Sequence, residues 1–508
     1  MKSKIITLGA LATWVALLSG CDFRVDDEPF SESIERLNNE NTSLKSASEK
    51  EQLALIRNGI YLNFKERRVV GGSCFLTHSE FVLPHNYCVY SSNSVKTNLT
   101  YSYIDRNNVL DGIALGQASA EGTQLFSVDY MEGDYQVDLK SFDEHGQLAA
   151  TTDIEPIDGD AGKFDYSYTV NGNKVISVAS NTASFAGNMG TETFLEPAYT
   201  SQPQFTVNYF DIDQHTSEKI IVDGLPKLVF EQDDTLYVIS THQNVIATTT
   251  EKLTPELKRQ AWSQVGRFPQ SALLPQINHQ GVKKSLNDKT CLVQDTDLTD
   301  KGYNGVLSIS SFSKSNAELL NSTCVLVPSV NVYLDKNKLI LASTEAQEDN
   351  DQVSLDIFNL ADGNVDYQST VMVQKHALLF PKVISDKKLH LKSTAFDEGS
   401  RHETFALLEF DESTGWQNTQ SQTIDITSYR VANSVSVNDQ ELVFLFKKNQ
   451  ANEVSVVNVD YQSLNSKPLT IASAPAQLNR VFQLPNQSTL VSYLKDPNDI
   501  NATTLGIL

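Results

Sequence analysis

Short polar turns followed by strands with alternating apolar residues recur along most of the chain. Each unit has a turn rich in Asp, Asn, Lys or Gly and then an alternating strand, as in DKNKLILAST and SDKKLHLKST. Successive anchor residues of these strands are 50, 61, 103, 50, 53 and 48 residues apart. Alternation with period two is typical of β-strands, and a repeat of this length is typical of propeller blades. The anchor residue of each unit is the first apolar residue of the strand that follows the polar turn. The anchors are Leu125, Val175, Leu236, Leu339, Leu389, Leu442 and Leu490.

Three further strand patterns accompany each anchor strand. One precedes it, as in SVNVYLD, one follows it and ends in a polar turn, as in FALLEFDESTG, and a more polar one closes the unit, as in WQNTQSQTI. Four antiparallel strands joined by short polar turns form one propeller blade. We therefore predict an all-β fold, a β-propeller of seven four-stranded blades. Eight blades, or a series of β-sandwich domains, are the alternatives.

The last unit holds only three strand patterns, RVFQLPNQ, TLVSYLK and TTLGIL. Because an open sheet edge at the closure of a propeller invites aggregation, we expect a strand from within residues 66–104 to complete this blade. The predicted divisions are a leader (1–20), a membrane tether (21–45), an N-terminal helix with the closure segment (46–112), and the propeller (113–508) with an insertion at 242–304.

Two segments outside the repeat carry helical patterns. Apolar residues recur at helical spacing in LKSASEKEQLALIRNGIYL, residues 44–62. In the insertion, TPELKRQAWSQV places Thr254 at the N-cap and Pro255 at the first helical position. We expect Trp262 and Val265 to pack this second helix onto one face of the propeller. It either carries function or covers apolar surface.

The N-terminus has the pattern of a bacterial lipoprotein leader. Lys2 and Lys4 precede an apolar run at residues 5–18, which is too short for a membrane span, and the run ends in LSGC at Cys21. This sequence resembles a lipobox, so we predict cleavage before Cys21 and acylation of this cysteine, which attaches the chain to a membrane. The expected location is the cell envelope, facing the periplasm or the cell surface. Asp22 favours the inner membrane.

The charge of the chain excludes one class of partner. The formal net charge is −23, and a surface this acidic repels nucleic acid. The expected partners are the membrane, through Cys21, and a protein of the envelope.

The four remaining cysteines are expected to form disulfides, because the envelope outside the inner membrane is oxidising. Pairing between sequence neighbours joins Cys74 to Cys88 and Cys291 to Cys324. Free thiols are an alternative.

A zinc site is a second alternative for the stretch CFLTHSEFVLPHNYC. His78 and His85 complete a set of two cysteines and two histidines with Cys74 and Cys88. Zinc modules usually separate their half-sites by a longer connection, so the spacing favours a disulfide. We interpret the stretch as a structural clip near the closure of the ring.

Motifs with a catalytic mechanism are absent from the sequence. There is no Gly-x-Ser-x-Gly, His-Glu-x-x-His, phosphate loop or Gly-x-Gly-x-x-Gly. DTDLTDKG, residues 295–302, resembles a calcium loop, but its third acid is shifted and no terminal glutamate follows. A solvated turn is the preferred interpretation. We therefore predict no catalytic, cofactor-binding or metal-binding residues.

Several segments together resemble a family of bacterial secreted or envelope proteins with a C-terminal β-propeller domain distantly related to WD40 repeats. They include TNLTYSYIDRNNVLDG, FTVNYFDIDQHTSEKIIVDGLPKLVFEQDDTLYVIST and ELVFLFKKNQANEVSVVNVD. The resemblance covers most of residues 44–495, but the acidic run before the first blade strand is largely missing here. It implies the propeller fold and adds little about function.

The expected function is that of a membrane-anchored envelope lipoprotein whose propeller binds a protein or serves as a scaffold. The alternatives are an enzyme acting on polysaccharide or peptidoglycan, with its site in the propeller channel, and a surface adhesin or receptor. The fold alone does not choose between these classes.

Overall fold

The computed structural model describes the chain in segments between residues 43 and 507. These are residues 43–66, 101–102, 113–119, 122–131, 134–142, 148–154, 167–171, 174–180, 195–197, 203–244, 246–248, 253–287, 290–294, 301–303, 305–326, 330–343, 352–374, 378–397, 400–437, 440–447, 454–464, 466–469, 477–483, 489–494 and 503–507.

The first part of the described chain mixes strands with three helices. In chain order the elements are β1 (Leu44–Ser46), α1 (Glu49–Glu66), β2 (Tyr101–Ser102), β3 (Ile113–Ser119), β4 (Gly122–Met131), β5 (Asp134–Phe142), β6 (Leu148–Ile154), β7 (Ser167–Asn171), β8 (Lys174–Ser180), β9 (Leu195–Pro197), β10 (Gln204–Asp211), β11 (Thr216–Asp223), β12 (Leu225–Gln232), β13 (Thr235–Gln243), β14 (Ile246–Thr248), α2 (Pro255–Gly266), α3 (Gln270–Leu273), β15 (Gln276–His279), β16 (Val282–Ser285) and β17 (Leu292–Gln294).

From residue 305 onward the described chain consists of strands and their turns. The strands are β18 (Gly305–Ser313), β19 (Leu319–Leu326), β20 (Val330–Asp335), β21 (Lys338–Ser343), β22 (Gln352–Ala361), β23 (Asn364–Gln374), β24 (Leu378–Ser385), β25 (Lys388–Asp397), β26 (Ser400–Asp411), β27 (Gly415–Asp425), β28 (Tyr429–Val437), β29 (Gln440–Lys447), β30 (Val454–Asp460), β31 (Ser466–Leu469), β32 (Gln477–Gln483), β33 (Thr489–Leu494) and β34 (Thr503–Ile507).

In the described residues, seven sheets of three or more strands follow one another along the chain. Sheet 1 contains β2 to β6, sheet 2 is built on β7, β8, β10 and β11, and sheet 3 on β12, β13, β18 and β19. Sheets 4, 5 and 6 each have four consecutive strands, β20 to β23, β24 to β27 and β28 to β31, and sheet 7 contains β32 to β34. Each predicted anchor lies in a strand that is paired on both sides. The all-β prediction and the repeating unit are thus confirmed.

Alternate residues of one strand pack against two different neighbouring sheets. In β21, Leu339 and Leu341 are buried with residues of sheet 3, whereas Ile340 and Ala342 are buried with residues of sheet 5. The same alternation recurs in β26. A strand buried on both faces has no solvent-facing side, which explains the continuous apolar run LILA, residues 339–342. Sheets 2 to 6 are therefore stacked face to face in chain order.

The turns between the third and fourth strands attach one sheet to the preceding one. In sheet 4, the turn at Gly363 donates its N–H to the hydroxyl of Tyr237 in sheet 3 (3.1 Å), and its carbonyl accepts from the hydroxyl of Ser311 (2.6 Å). In sheet 5, the turn at Gly415 lies against Ser369 of sheet 4, whose hydroxyl accepts the N–H of Trp416 (3.0 Å). These contacts fix the register between stacked sheets.

The predicted insertion does not fold as a separate appendage, because its strands join two of the sheets. The hairpin β15–β16 extends sheet 2 through β11, where Ile277 lies opposite Val222. β17 runs parallel to β19 at the edge of sheet 3, and β1 pairs antiparallel with β17. β9 and β14 form a small two-stranded sheet. The N-terminal helix begins at Glu49, so the predicted helical start at Leu44 is wrong.

Closure of the ring remains a prediction. Within the described residues, sheet 7 has three strands. The only described part of the predicted closure segment, β2, pairs with β3 in sheet 1 and not with sheet 7. Residues 67–100 lie outside the described part of the chain.

None of the helices among the described residues is both long and apolar enough to span a bilayer.

Candidate interaction surface

An open sheet edge in the described chain belongs to β27, the fourth strand of sheet 5. This strand has 11 residues and pairs on one side with β26, and no other described strand pairs with its far edge. Its residues 417–421 are all exposed. Every second residue of an edge strand directs its backbone N–H and C=O away from the sheet, so β27 offers a row of these groups for pairing.

The sequence of β27 lacks the usual protection of an exposed edge. Native proteins guard such edges with lysine, proline or very short strands. From Gly415 to Ile424 there is neither a charged residue nor a proline, and the side chains are mostly Gln, Asn, Ser and Thr. By contrast, the edge strand β31 has four residues that include Lys467 and Pro468, and β24 contains Pro381.

Both ends of β27 are held in place by carboxylates in tight turns. Asp411 accepts the N–H of Ser413 (2.8 Å), and the hydrogen bonds from Ser413 lower the pKa of this carboxyl. At the other end Asp425 accepts the N–H of Thr427 (2.8 Å), and the hydrogen bonds from Thr427 lower its pKa. Trp416, which is buried between sheets 4 and 5, anchors the first turn. The strand is therefore a rigid edge and not a frayed end.

The chain already adds strands to two edges of this kind. The fourth strand of sheet 2 is extended by β15 and β16, and the fourth strand of sheet 3 by β17 and β1. Strand addition to a fourth strand is thus a structural mode that this protein itself uses. The corresponding edge in sheet 5 has the right length and composition for the same mode.

The strands added to sheet 3 belong to a helical module formed by α1, α2, α3 and their connections. As predicted, Thr254 caps α2, accepting the N–H of Leu257 on its hydroxyl (3.2 Å), and Pro255 is the first helical residue. The buried face of α2 shares a core with α1, and Trp262 contacts Tyr61 of α1 edge to face at 5.3 Å. Val265 shares this core with Val306 and Leu326 of sheet 3 as well as with α1, and packing of the helix on a face of the propeller stays a prediction.

A disulfide and several backbone hydrogen bonds attach the module to sheet 3. Cys291 and Cys324 form a disulfide with a Cα–Cα distance of 4.6 Å, the second of the two predicted pairs. The N–H of Cys291 donates to Oε1 of Gln52 (2.8 Å), and its carbonyl accepts from Ala47 (3.0 Å). The first turns of α1 and the start of β17 are therefore bound directly to the disulfide.

Gly302 allows the chain to pass unusually close to α1. A Cβ at this position would lie 2.4 Å from the backbone nitrogen of Gly59. The neighbouring residues bind α1 on both sides, because Tyr303 donates its N–H to the carbonyl of Leu55 (3.0 Å) and Asn58 donates to the carbonyl of Lys301 (2.9 Å). In the segment that resembles a calcium loop and is interpreted as a solvated turn, Gly302 thus serves helix packing. Its acids, at 295, 297 and 300, lie outside the described residues.

A directed chain of hydrogen bonds joins β1 to a buried carboxylate in sheet 4. Thr370 donates its hydroxyl to Asp356 (2.6 Å), so Tyr367 must donate to Thr370 (2.8 Å), and the N–H of Leu44 donates to Tyr367 (3.0 Å). Burial raises the pKa of Asp356 to about 6, although the hydrogen bond from Thr370 opposes this shift. The N-terminal strand is therefore bound to two sheets, and one of its contacts depends on a titrating group.

A buried histidine holds α3 against the end of β13. Nε2 of His242 lies 3.0 Å from the carbonyl oxygen of Ala272, so the ring donates from this nitrogen. Asn244 donates to the same carbonyl. Burial lowers the pKa of His242, so the ring remains neutral at physiological pH. This arrangement is structural and fixes the connection that leads into the hairpin.

The central part of the insertion at 242–304 has a charge opposite to that of the rest of the chain. This part, residues 253–287, is here called the basic insertion. It contains five cationic side chains and one anionic side chain, a net charge of +4. The difference between −23 and +4 leaves −27 for the remaining residues. The cations are Lys258, Arg259, Arg267, Lys283 and Lys284, and the single acid is Glu256.

Most of the sequence-predicted site residues lie outside the described chain. These are Cys21, Cys74 and Cys88, together with the alternative zinc ligands His78 and His85. Among the residues that are described, there is no group of three or more His, Cys, Asp or Glu side chains that could hold a metal ion.

Comparison with known proteins identifies the fold of the central part. Residues 154–377 match the model of the beta propeller domain family. This segment contains the four blade strands of each of sheets 2, 3 and 4, so these three sheets lie in a β-propeller domain. The comparison with curated proteins found no match.

Solved structures show only distant similarity. The Pyrococcus horikoshii acylaminoacyl peptidase is 10% identical, with 78% of this chain and 51% of that chain covered and a TM-score of 0.33. The subtype N10 neuraminidase-like protein of A/little yellow-shouldered bat/Guatemala is 10% identical, with 74% and 99% covered and a TM-score of 0.28. Sqt1 of Saccharomyces cerevisiae is 10% identical, with 75% and 92% covered and a TM-score of 0.23. The chain spans about half the length of the peptidase. At these TM-scores the similarities carry no functional information.

Neither the open edge of β27 nor the basic insertion was predicted from the sequence. The open edge of β27 is visible in the sequence as ten residues without charge or proline, but only the sheet order shows that this strand is an edge. The basic insertion was detectable by a local count of charges, which the overall charge of −23 conceals.

Proposed function

We propose that this protein is a membrane-anchored envelope lipoprotein whose β-propeller binds an extended segment of a partner protein at the edge of β27. In this proposal Cys21 carries the lipid, and the propeller is a ring of seven sheets completed by a strand from the N-terminal region. The partner segment adds to sheet 5 as a further antiparallel or parallel strand.

The open edge of β27 carries this proposal. An exposed edge strand of 11 residues, the first ten of them uncharged, is a hazard unless something covers it. Main-chain hydrogen bonds supply affinity in strand addition, and pockets for alternate side chains supply specificity. Gln, Asn, Ser and Thr side chains suit a polar partner strand, because they both donate and accept hydrogen bonds. The strands already added to sheets 2 and 3 support this mode of binding.

Paired proline substitutions test the proposal on the full chain. Ser421 and Gln422 are neighbours in β27, so one directs its N–H to β26 and the other directs it outward. A proline at the outward position removes a donor for the partner and leaves the sheet intact, whereas a proline at the inward position weakens the sheet itself. The two variants, Ser421→Pro and Gln422→Pro, therefore control for each other.

The readout is the set of proteins that co-purify with the native chain from detergent-solubilised envelope, together with the thermal stability of each variant. We expect one variant to keep its stability and lose the partner. Gln462→Pro, at an exposed turn residue outside β27, controls for loss of an internal hydrogen bond, because its N–H donates to Asp460 (2.9 Å), and it should retain the partner. If both β27 variants remain folded and keep every partner, strand addition at this edge is wrong. A partner that proves to be a second copy of the chain would appear as a change in molecular mass.

A further inference from the structure

We propose that the basic insertion docks onto the anionic surface of the bilayer and thereby orients the propeller above the membrane. The inference rests on the proposed lipid anchor at Cys21, because the anchor brings this surface close to lipid. The ligand is the headgroup layer of anionic phospholipids.

The first observation is the position of the cations on α2. The buried face of this helix carries Leu257, Ala261 and Val265. Arg259 and Arg267 are each two residues further along, and at about 100° per residue they lie on the opposite side of the helix. Both are exposed. The helix therefore presents its cationic side outward while its apolar side packs on α1.

The second observation is the edge of the hairpin β15–β16. Val282, Lys283 and Lys284 are all exposed, and Val282, with a relative exposure of 67%, is more exposed than any other large apolar residue whose burial the structure describes. An exposed apolar residue beside two lysines suits the boundary between headgroups and acyl chains, where the apolar group inserts and the cations bind phosphate. An acidic protein surface would satisfy the lysines but not the valine.

The third observation is the order of the chain. Only 22 residues lie between Cys21 and Leu44, a reach of at most about 80 Å. Leu44 begins β1, and α1 follows and packs on α2 of the basic insertion. The tether therefore joins the described chain next to the basic insertion.

Docking would also solve an electrostatic problem. The rest of the chain carries −27, and an anionic bilayer repels it. A cationic surface beside the anchor makes one orientation favourable, because it places the basic insertion against the headgroups and the acidic sheets away from them. The edge of β27, which lies in sheet 5, is not part of this surface and remains free for its partner.

The test compares vesicles of two compositions. The full-length protein is reconstituted into phosphatidylcholine vesicles, with or without about one third phosphatidylglycerol, and amide hydrogen exchange is followed by mass spectrometry. We expect peptides from residues 253–287 to exchange more slowly on the anionic vesicles only, with protection lost in high salt. Lys283→Gln with Lys284→Gln should lower the ratio of docked to undocked protein about 25-fold, at about fivefold per lysine. Lys336→Gln with Lys387→Gln, at two exposed lysines of sheets 4 and 5, is the control and should change nothing.

If the basic insertion exchanges at the same rate on the two kinds of vesicle, the docking proposal is wrong, whether both kinds protect it or neither does. Protection on neither kind is the result expected if an acidic protein occupies this surface instead. Flotation with the neutral vesicles reports separately on the anchor. A chain that fails to float with neutral vesicles contradicts the lipid at Cys21, while selective protection on anionic vesicles still supports the docking surface.

Discussion

Sheets 3 and 5 are built from the same four-stranded unit, but the outer edge of sheet 3 is covered by further strands whereas the outer edge of sheet 5 is open. The fourth strand of sheet 3 is covered by β17 and β1, fastened by the Cys291–Cys324 disulfide and flanked by three helices. The fourth strand of sheet 5 is bare among the described residues and carries no charge until Asp425. The comparison indicates that the interior of each sheet supports the fold, whereas the edge is the part that varies and recruits other segments.

A substitution in the core between two stacked sheets should have the largest effect on the free energy of unfolding. Trp416 is buried between sheets 4 and 5, and its Nε1 lies 3.4 Å from Oε1 of Gln368, which also accepts from Lys338 (3.1 Å). Trp416→Ala should lower the free energy of unfolding by about 3–5 kcal/mol, because it opens a large cavity. Trp262→Ala, at a partly buried position in the helical module, should cost less. Chemical denaturation measures both, and a larger loss for Trp262→Ala would contradict the primacy of sheet stacking.

Removal of the disulfide should have the next largest effect and should remain local. Cys291 and Cys324 are separated by 33 residues, and closing a loop of this length restricts the unfolded chain by about 4 kcal/mol at most. We expect Cys291→Ser with Cys324→Ser to increase hydrogen exchange in β17, β1 and α1 and to leave β27 unchanged. A uniform increase in amide hydrogen exchange across all sheets would show that the helical module does not unfold independently of the sheets.

The stability of the fold should depend on pH through Asp356 in sheet 4. The pKa of Asp356 is raised from 3.8 to about 6, so the folded state holds this proton more tightly than the unfolded state. The corresponding stability is complete below pH 4 and is lost as pH rises through 6, by up to about 3 kcal/mol. Asp356→Asn removes this loss, so the stability of the variant relative to the native chain should increase from pH 4 to pH 7.

Asp411→Asn provides a control of opposite sign. Hydrogen bonds from Ser413 lower the pKa of Asp411, so its contribution is present at neutral pH and is lost as pH falls. The deficit of this variant should therefore be largest at pH 7 and disappear in acid. Thermal unfolding across this pH range distinguishes the two, and parallel pH curves for both variants would contradict the assignment of Asp356.

The sequence was sufficient for features whose determinants are local. Period-two alternation located the anchor strands, and Thr254 with Pro255 located the start of α2. The partners of short segments were not predictable, because their pairing depends on distant edges. Gln276–His279 pairs with β11, more than 50 residues earlier in the chain, and no pattern within these four residues specifies that edge. The role of Gly302 is visible only in its approach to Gly59.

The edge of β27 is the central claim, and cross-linking from this strand in living cells tests it most directly. A photoreactive residue is placed at Gln420, which is exposed in β27, and at Gln214, which is exposed in the β10–β11 turn outside both proposed surfaces, as a control. We predict that the probe at Gln420 links to one envelope protein, through an extended segment of that protein, and that the probe at Gln214 does not. A partner captured from Gln214 and not from Gln420, or no adduct at Gln420 in cells where the partner co-purifies with the chain, would contradict the account.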